Sequence, residues 1–162
     1  MIFVTVGAQM AFDRMIRAVD QWAKDAGRTD VFAQIGPAEY LPEHIEHTGF
    51  LEPPQFAERA RAADVIVAHA GMGSIITALT MGKPILVMPR RGDLRETRND
   101  HQVATARRLS ELGKVAVAMD EKELIERLGR LEELRATGAI GPNAQDSLIA
   151  AVRGVVFGDV AR

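Results

Sequence analysis

Six consecutive residues, His69-Ala70-Gly71-Met72-Gly73-Ser74, concentrate groups that could bind an anion. The apolar run Val65-Ile66-Val67-Ala68 leads into them and reads as a buried strand, and the stretch from Ser74 to Met81 reads as the start of a helix. A strand, a glycine-rich turn and a helix N-terminus together make an anion site, because backbone N–H groups and the positive end of the helix dipole converge there. Glycines let a ligand approach the backbone with no Cβ in the way. The same pattern also serves as a tight strand-to-helix turn with no ligand, and a short Gly-x-Gly does not decide between the two.

A second polar concentration is Arg90-Arg91-Gly92-Asp93-Leu94-Arg95-Glu96-Thr97-Arg98, which holds four arginines. Such a loop can clamp a diphosphate, meet a uronate carboxylate or touch anionic headgroups. It can equally be a solvated loop in which Asp93 and Glu96 pair internally, each pair contributing little. Directly after it, Asn99-Asp100-His101-Gln102 opens a helical stretch, with Asn99 or Asp100 available as its cap.

Alternating elements position these groups. Ile2 to Val6, Val31 to Ile35, Thr48 to Leu51, Val65 to Ala68, Ile85 to Met88 and Lys114 to Ala118 are predicted strands. The continuous apolar runs among them suit parallel strands covered on both faces. Predicted helices run from Asp13, as cap, to about Lys24; from Pro53-Pro54 to about Ala62; from Ser74 to Met81, ended by Gly82-Lys83-Pro84; and from Asn99 to Leu112, with Val103, Ala106 and Leu109 inward. Asp120 with Glu123 predicts a capping box for a helix to about Arg135. Thr137 to Pro142 reads as a turn-rich break. Asn143 to Phe157 reads as a last amphipathic helix with Leu148, Val152, Val155 and Val156 on its apolar face. Strands alternating with helices predict an α/β doubly wound parallel sheet, in which ligands bind at the carboxyl ends of strands. Gly7, Gly71 and the loop after Pro89 all fall at such ends.

Composition sets the outer bounds. At 162 residues the chain is expected to form a single domain, 1–162, and its 47% hydrophobic and 26% charged residues suit a soluble globular protein. A formal net charge of −2 supplies no global basic field, so no nucleic-acid partner is expected. The chain has no cysteine, which excludes disulfides, thiolate metal sites and a cysteine nucleophile. No apolar stretch approaches the roughly 18 residues of a membrane span. The start, Met1-Ile2-Phe3-Val4-Thr5-Val6, lacks the basic opening of a signal peptide, and a cytoplasmic location is expected.

Three motifs in order carry a resemblance: His69-Ala-Gly-Met-Gly-Ser74, Gly82-Lys-Pro-Ile-Leu-Val-Met-Pro89 and Asn99-Asp-His-Gln102. With the opening Val4-Thr5-Val6-Gly7 and Phe12-Asp13, they resemble glycosyltransferase family 28 over about Met1 to Leu134. The matching part is the C-terminal, UDP-sugar-binding half of a two-domain GT-B enzyme, a Rossmann-like domain. The chain is most similar to free-standing versions. One is the catalytic subunit of the eukaryotic two-subunit transferase that adds the second GlcNAc to dolichol-diphosphate-GlcNAc. Another is the PssE-like subunit of bacterial exopolysaccharide glycosyltransferases, which the Asn-Asp-His-Gln segment and the arginine loop favour.

The resemblance implies roles. Gly71, Met72, Gly73 and Ser74 wrap the donor diphosphate, with Ser74 and helix-start N–H groups donating to phosphate oxygens. His69 contacts a diphosphate oxygen and, as the catalytic residue, stabilises charge on the leaving UDP. Asn99, His101 and Gln102 lie in the donor-sugar segment, where His101 and Gln102 meet hydroxyls that need groups able to donate and accept. Gly7 and Ala8 face the interdomain cleft, and Phe50 and Leu51 lie where backbone groups hold uracil. Thr77 stands where family members often place a glutamate for the ribose hydroxyls; threonine is shorter and cannot accept a bidentate pair. No Asp-x-Asp motif occurs, and the resemblance implies UDP-sugar as substrate with no cofactor and no metal.

A GT-B enzyme needs a second Rossmann-like half to bind the acceptor and supply the general base. The resemblance places that half on a membrane-attached PssD-like partner subunit. The acceptor would be a polyprenyl-diphosphate-linked sugar, and this chain would sit peripherally at the inner membrane face. Two rival readings stay open at this level. One is a non-catalytic nucleotide-binding or scaffolding subunit. The other is a dinucleotide-binding oxidoreductase domain, although only Gly7-Ala8-Gln9 follows the first strand where Gly-x-Gly-x-x-Gly would be needed.

Overall fold

The computed structural model describes residues 1–113, 115–137, 149–151 and 153–154. Four apolar runs form strands buried along nearly their whole length: β1 (Ile2–Thr5), β2 (Val31–Gln34), β4 (Val65–His69) and β5 (Ile85–Met88). Two edge strands, β3 (Glu46–Thr48) and β6 (Ala116–Val117), complete a six-stranded, wholly parallel sheet in the order β3-β2-β1-β4-β5-β6. This is the Rossmann-like order, and it reverses direction between β1 and β4.

The period of two along each strand divides the core between the two faces. Ile2, Val4, Val31, Ala33, Val65, Val67, Leu86 and Met88 join one cluster with residues of α1 (Asp13–Ala26), α5 (Glu121–Leu128) and α6 (Leu131–Thr137). Phe3, Phe32, Ile66, Ala68, Ile85 and Val87 join the other with residues of α2 (Pro53–Ala62), α3 (Met72–Thr80) and α4 (His101–Leu112). Helices cover both faces, so the central strands need no polar side, as their apolar runs predict.

Several boundaries differ from the sequence expectation for identifiable reasons. The third strand is Glu46–Thr48 rather than Thr48–Leu51. An edge strand bonded on one side only tolerates exposed Glu46 and His47, and the apolar Phe50 and Leu51 run past its end. Asp13 is the first helical residue, not the cap. Buried Phe12 holds the cap position, and Asp13 Oδ2 accepts the N–H groups of Glu39 and Tyr40, each at 3.3 Å. Helix α3 begins at Met72, so Gly71 is its cap and Ser74 lies within its first turn.

Helix α4 begins at His101, with Asp100 at the cap position. Asp120 does cap α5, accepting the Glu123 N–H at 2.9 Å, while Glu123 reaches back to the Met119 N–H at 2.7 Å. The single helix expected to Arg135 is two, parted at Gly129 and Arg130. The last strand is Ala116–Val117, and Lys114 lies outside the described residues. The predicted helix Asn143 to Phe157, with Leu148, Val152, Val155 and Val156, and the break up to Pro142 lie largely outside them too. Residues 149–151 and 153–154 are helical, and Ile149 packs on the second cluster.

A buried carboxylate ties the β2–β3 connection to α1. Asp20 is 1% exposed. It accepts the Tyr40 hydroxyl at 2.5 Å and the N–H groups of Glu43 and His44 at 3.1 and 2.8 Å. Burial alone would raise its pKa, but these donors outweigh it and hold Asp20 below the ordinary value of 3.8. Its stabilisation is therefore present above the unfolded-state pKa and is lost as pH falls through the lower folded value. Urea unfolding should show Asp20→Asn to be less stable than the native chain at pH 7, with the gap narrowing as pH drops below about 4.

Candidate functional site

The site grows from the reversal point of the sheet. Thr5 of β1 pairs with Ala68 of β4, so Gly7 and His69 leave the sheet side by side. Gly7 has φ +78°, a left-handed value that suits glycine. The imidazole of His69 lies against two glycines. A Cβ on Gly7 would stand 3.0 Å from His69 Nε2, and one on Gly71 would stand 2.6 Å from the same nitrogen with the ring's Cε1 closer still. These glycines make room for the ring itself, in addition to any ligand.

Arg90 closes the other side. Met88 of β5 pairs with His69, which brings the chain after Pro89 beside the imidazole. The Arg90 guanidinium is 4% exposed and lies 2.9 Å from His69 Nδ1. It also donates to the carbonyls of Val6 and Met10, at 2.5 and 2.6 Å, and its charged carbon stands 5.3 Å from the centre of the Phe12 ring. Gln102 completes the group: its Oε1 accepts the Arg90 N–H at 3.1 Å, and its Nε2 lies 3.4 Å from His69 Nδ1. Burial, and then the neighbouring Arg90 charge, push the His69 pKa down to about 3. Burial lowers Arg90 to about 10, against the opposing pull of Glu96. At neutral pH a neutral imidazole therefore faces a cationic guanidinium.

An outer clasp holds the Arg90 loop. Arg14 of α1 grips Glu96 through two bonds of 3.0 and 2.8 Å, donates to the Pro89 carbonyl at 3.3 Å and reaches Glu121 at 3.3 Å. Glu96 also accepts the Arg91 N–H at 3.0 Å. The arginine stretch is thus two things at once. Arg91 pairs with Asp93 at 2.6 Å on the surface, as expected, but Glu96 pairs with Arg14 rather than with a loop arginine.

Gln34, at the end of β2, is 3% exposed and braces the floor of the site. It donates to the Gly7 carbonyl at 3.2 Å and the Thr5 hydroxyl at 3.3 Å, and accepts the Leu51 N–H at 2.9 Å. That N–H of Leu51 is therefore committed to Gln34, and Phe50 is exposed. Arg14, Gln34 and the inward role of Arg90 escape sequence reading. The signal for Arg90 and Gln34 is positional, a polar residue at or just past the carboxyl end of an apolar parallel strand.

Of the residues singled out in the sequence, Gly7, His69, Gly71 and Gln102 come together. Met72, Gly73 and Ser74 form the first turn of α3, whose Gly71 cap offers no side chain to their N–H groups. A Cβ on Gly73 would meet nothing within 4 Å. Ser74 and Thr77 lie one turn apart on one side of α3, both partly buried. Asn99 and His101 are exposed at the start of α4. Asn99 Oδ1 accepts the His101 N–H at 3.0 Å, and Asp100 accepts the Gly92 N–H at 2.9 Å. Among the described residues no three histidine, aspartate or glutamate side chains cluster as a metal site requires, and no helix is long and apolar enough to cross a membrane.

Residues 1–140 match the model of the glycosyltransferase family 28 C-terminal domain. The chain belongs to that family. The human UDP-N-acetylglucosamine transferase subunit ALG13 is 30% identical over 122 residues, covering 69% of this chain and 10% of that protein. The chain thus spans about a tenth of the length of the curated relatives it matches. Among solved structures, the glycotransferase of kitacinnamycin superposes with a TM-score of 0.62 at 20% identity, over 96% of this chain and 40% of that one. The solution structure of ALG13 superposes with a TM-score of 0.56 at 20% identity, over 78% of this chain and 82% of that one. The fold of this family 28 domain is that of GT-B glycosyltransferases.

The two α3 glycines make opposite predictions. Gly71→Ala should drive the imidazole from its place and cost about 1–3 kcal/mol of stability, as overpacking does. Gly73→Ala should leave the ring where it is. A crystal structure of each variant, with urea unfolding beside it, checks both.

Proposed function

We propose that this family 28 domain is the donor-binding, catalytic subunit of an inverting glycosyltransferase. It takes a sugar from a UDP-sugar and passes it to a polyprenyl-diphosphate-linked acceptor in polysaccharide biosynthesis. The observation that carries the reading is the juxtaposition of a neutral, buried-edge imidazole, two glycines and the uncapped first turn of α3 at the reversal point of the sheet. In the proposed complex the donor diphosphate lies against Gly71, Met72, Gly73 and Ser74, where N–H groups and the helix dipole meet its charge. His69 hydrogen-bonds a diphosphate oxygen and steadies the charge that grows on UDP as the anomeric bond breaks. The attacking acceptor hydroxyl approaches from the opposite face, which inverts the anomeric carbon.

Thr77, one turn beyond Ser74, takes the ribose side. Asn99, His101 and Gln102 take the sugar side; the Gln102 amide is already engaged with Arg90 and His69, so its part is to hold the pocket wall as well as to meet a hydroxyl. Gly7 closes the cleft. These backbone and side-chain donors act with no metal and no cofactor in this reading. The general base and the acceptor site belong to a membrane-attached PssD-like partner, which brings this chain to the cytoplasmic face of the membrane. A human relative that is itself named as a subunit of a UDP-N-acetylglucosamine transferase supports both the nucleotide and the need for a partner.

Titration calorimetry tests the donor site, with ADP and NAD as controls. UDP should bind selectively. Ser74→Ala should weaken it about tenfold or more, the loss of a hydrogen bond to a charged group, with circular dichroism unchanged. Tighter binding of NAD than of UDP would overturn the proposal.

A further inference from the structure

We infer that Arg90 is a positioning residue: it fixes the tautomer of His69, so that the proton sits on Nε2, the ring nitrogen on the Gly7 side. The inference deepens the proposed donor site, and its bearing on catalysis rests on that reading. A guanidinium has five N–H donors and no lone pair to offer. At 2.9 Å from His69 Nδ1 it can only donate, so Nδ1 must carry the lone pair. The proton of the neutral ring is then on Nε2, the ring atom nearest to Gly7, while Gly71 lies over Cε1 between the two nitrogens.

Two further constraints close the alternatives. The guanidinium cannot turn away, because its Nη2 is held by the carbonyls of Val6 and Met10 at 2.5 and 2.6 Å. The Gln102 amide cannot turn over to offer its oxygen to the ring, because that oxygen accepts the Arg90 backbone N–H at 3.1 Å. Its NH2 group therefore faces Nδ1, at 3.4 Å, as a second donor. Both neighbours ask the same nitrogen to accept. With the opposite tautomer the ring would present a lone pair at Nε2, on the Gly7 side, and would repel a phosphate oxygen there. Arg90 thus makes His69 an anion-facing donor without giving the ring a charge, and it does so before any nucleotide arrives.

Long-range 1H–15N correlation spectra of the histidine rings read the tautomer directly. The chain has four histidines, and His69→Gln assigns the one in question. In the native chain without nucleotide, at pH 7, we expect a single Nε2–H form of His69. An Nδ1–H form, or an even mixture of the two, would overturn the inference from the native spectrum alone, whether or not any variant folds. Arg90→Met removes the donor while keeping a long side chain, and should release the ring into a mixture of tautomers. Arg90→Lys, which restores a donor and a charge, should recover most of the Nε2–H form. Gln102→Leu should leave it in place. A pure Nε2–H spectrum in Arg90→Met, or its loss in Gln102→Leu, would move the role away from Arg90. Adding UDP separates this from the donor-site reading. A shift of the Nε2 resonance supports the donor site, whereas an Nε2–H ring that ignores UDP keeps the Arg90 inference and counts against UDP.

Discussion

Taking the Arg90 guanidinium out of water carries a desolvation penalty of about several kcal/mol. The fold offsets it with three acceptors, the Val6 and Met10 carbonyls and His69 Nδ1, with the face of Phe12, and with the charge of Glu96 nearby. Those partners come from the end of β1, the loop beyond it, the end of β4 and the start of α1. The Arg90 backbone N–H adds α4 through Gln102. One residue therefore joins the ends of β1 and β4 to the starts of α1 and α4, and Gln34 joins the β2 end to Gly7. The Arg14–Glu96 pair holds the loop that supplies Arg90, so the cation is fixed from outside as well as from within.

The sheet makes this convergence possible. In a parallel sheet all carboxyl ends point the same way, and β1, β4 and β5 are successive neighbours. Residues one or two places beyond their ends must fall together whatever lies between them in sequence. His69 and Arg90 are 21 residues apart, and Val6 and Arg90 are 84 apart, yet each pair is in hydrogen-bond contact. The alternating burial of strand residues on two faces keeps the strands from slipping, since a shift of one place would exchange the two cores.

Much of this was open to a reader of the sequence, and the remainder was closed for physical reasons. The apolar runs of β1, β2, β4 and β5 are long enough, and pure enough, to predict buried parallel strands. The edge strand β3 is not, because one exposed side frees it from the apolar pattern, and it runs Glu46–Thr48, earlier at both ends than Thr48 to Leu51. Pro53-Pro54 marks α2 to the residue, since proline suits a first turn. Asp13 misleads, because an aspartate before a helix can cap it or reach across to another loop, and local sequence does not distinguish the two. At the site, His69, Gly71 and Ser74 were legible as one motif because they are contiguous. Arg90 was visible as one of several loop arginines; its place just past the end of β5 marks it as facing the site, but which groups it meets there is not written locally. That part is tertiary: the inward place exists only where the ends of β1 and β4 leave carbonyls and an imidazole to be met.

A consequence follows for the electrostatics of the candidate site. His69 is held near 3 and Arg90 near 10, so between about pH 4 and pH 9 neither changes its protonation. An ordinary histidine would cross its pKa inside that range and would alternate between a neutral donor and a cation. Here the positive charge resides on Arg90 and the hydrogen-bonding edge on His69, and the two duties are kept on separate side chains. A phosphate oxygen near the ring would meet a constant donor and, just behind it, a constant charge. A bound anion would itself favour the protonated ring and draw the His69 pKa upward, while the Arg90 charge beside it pulls the other way.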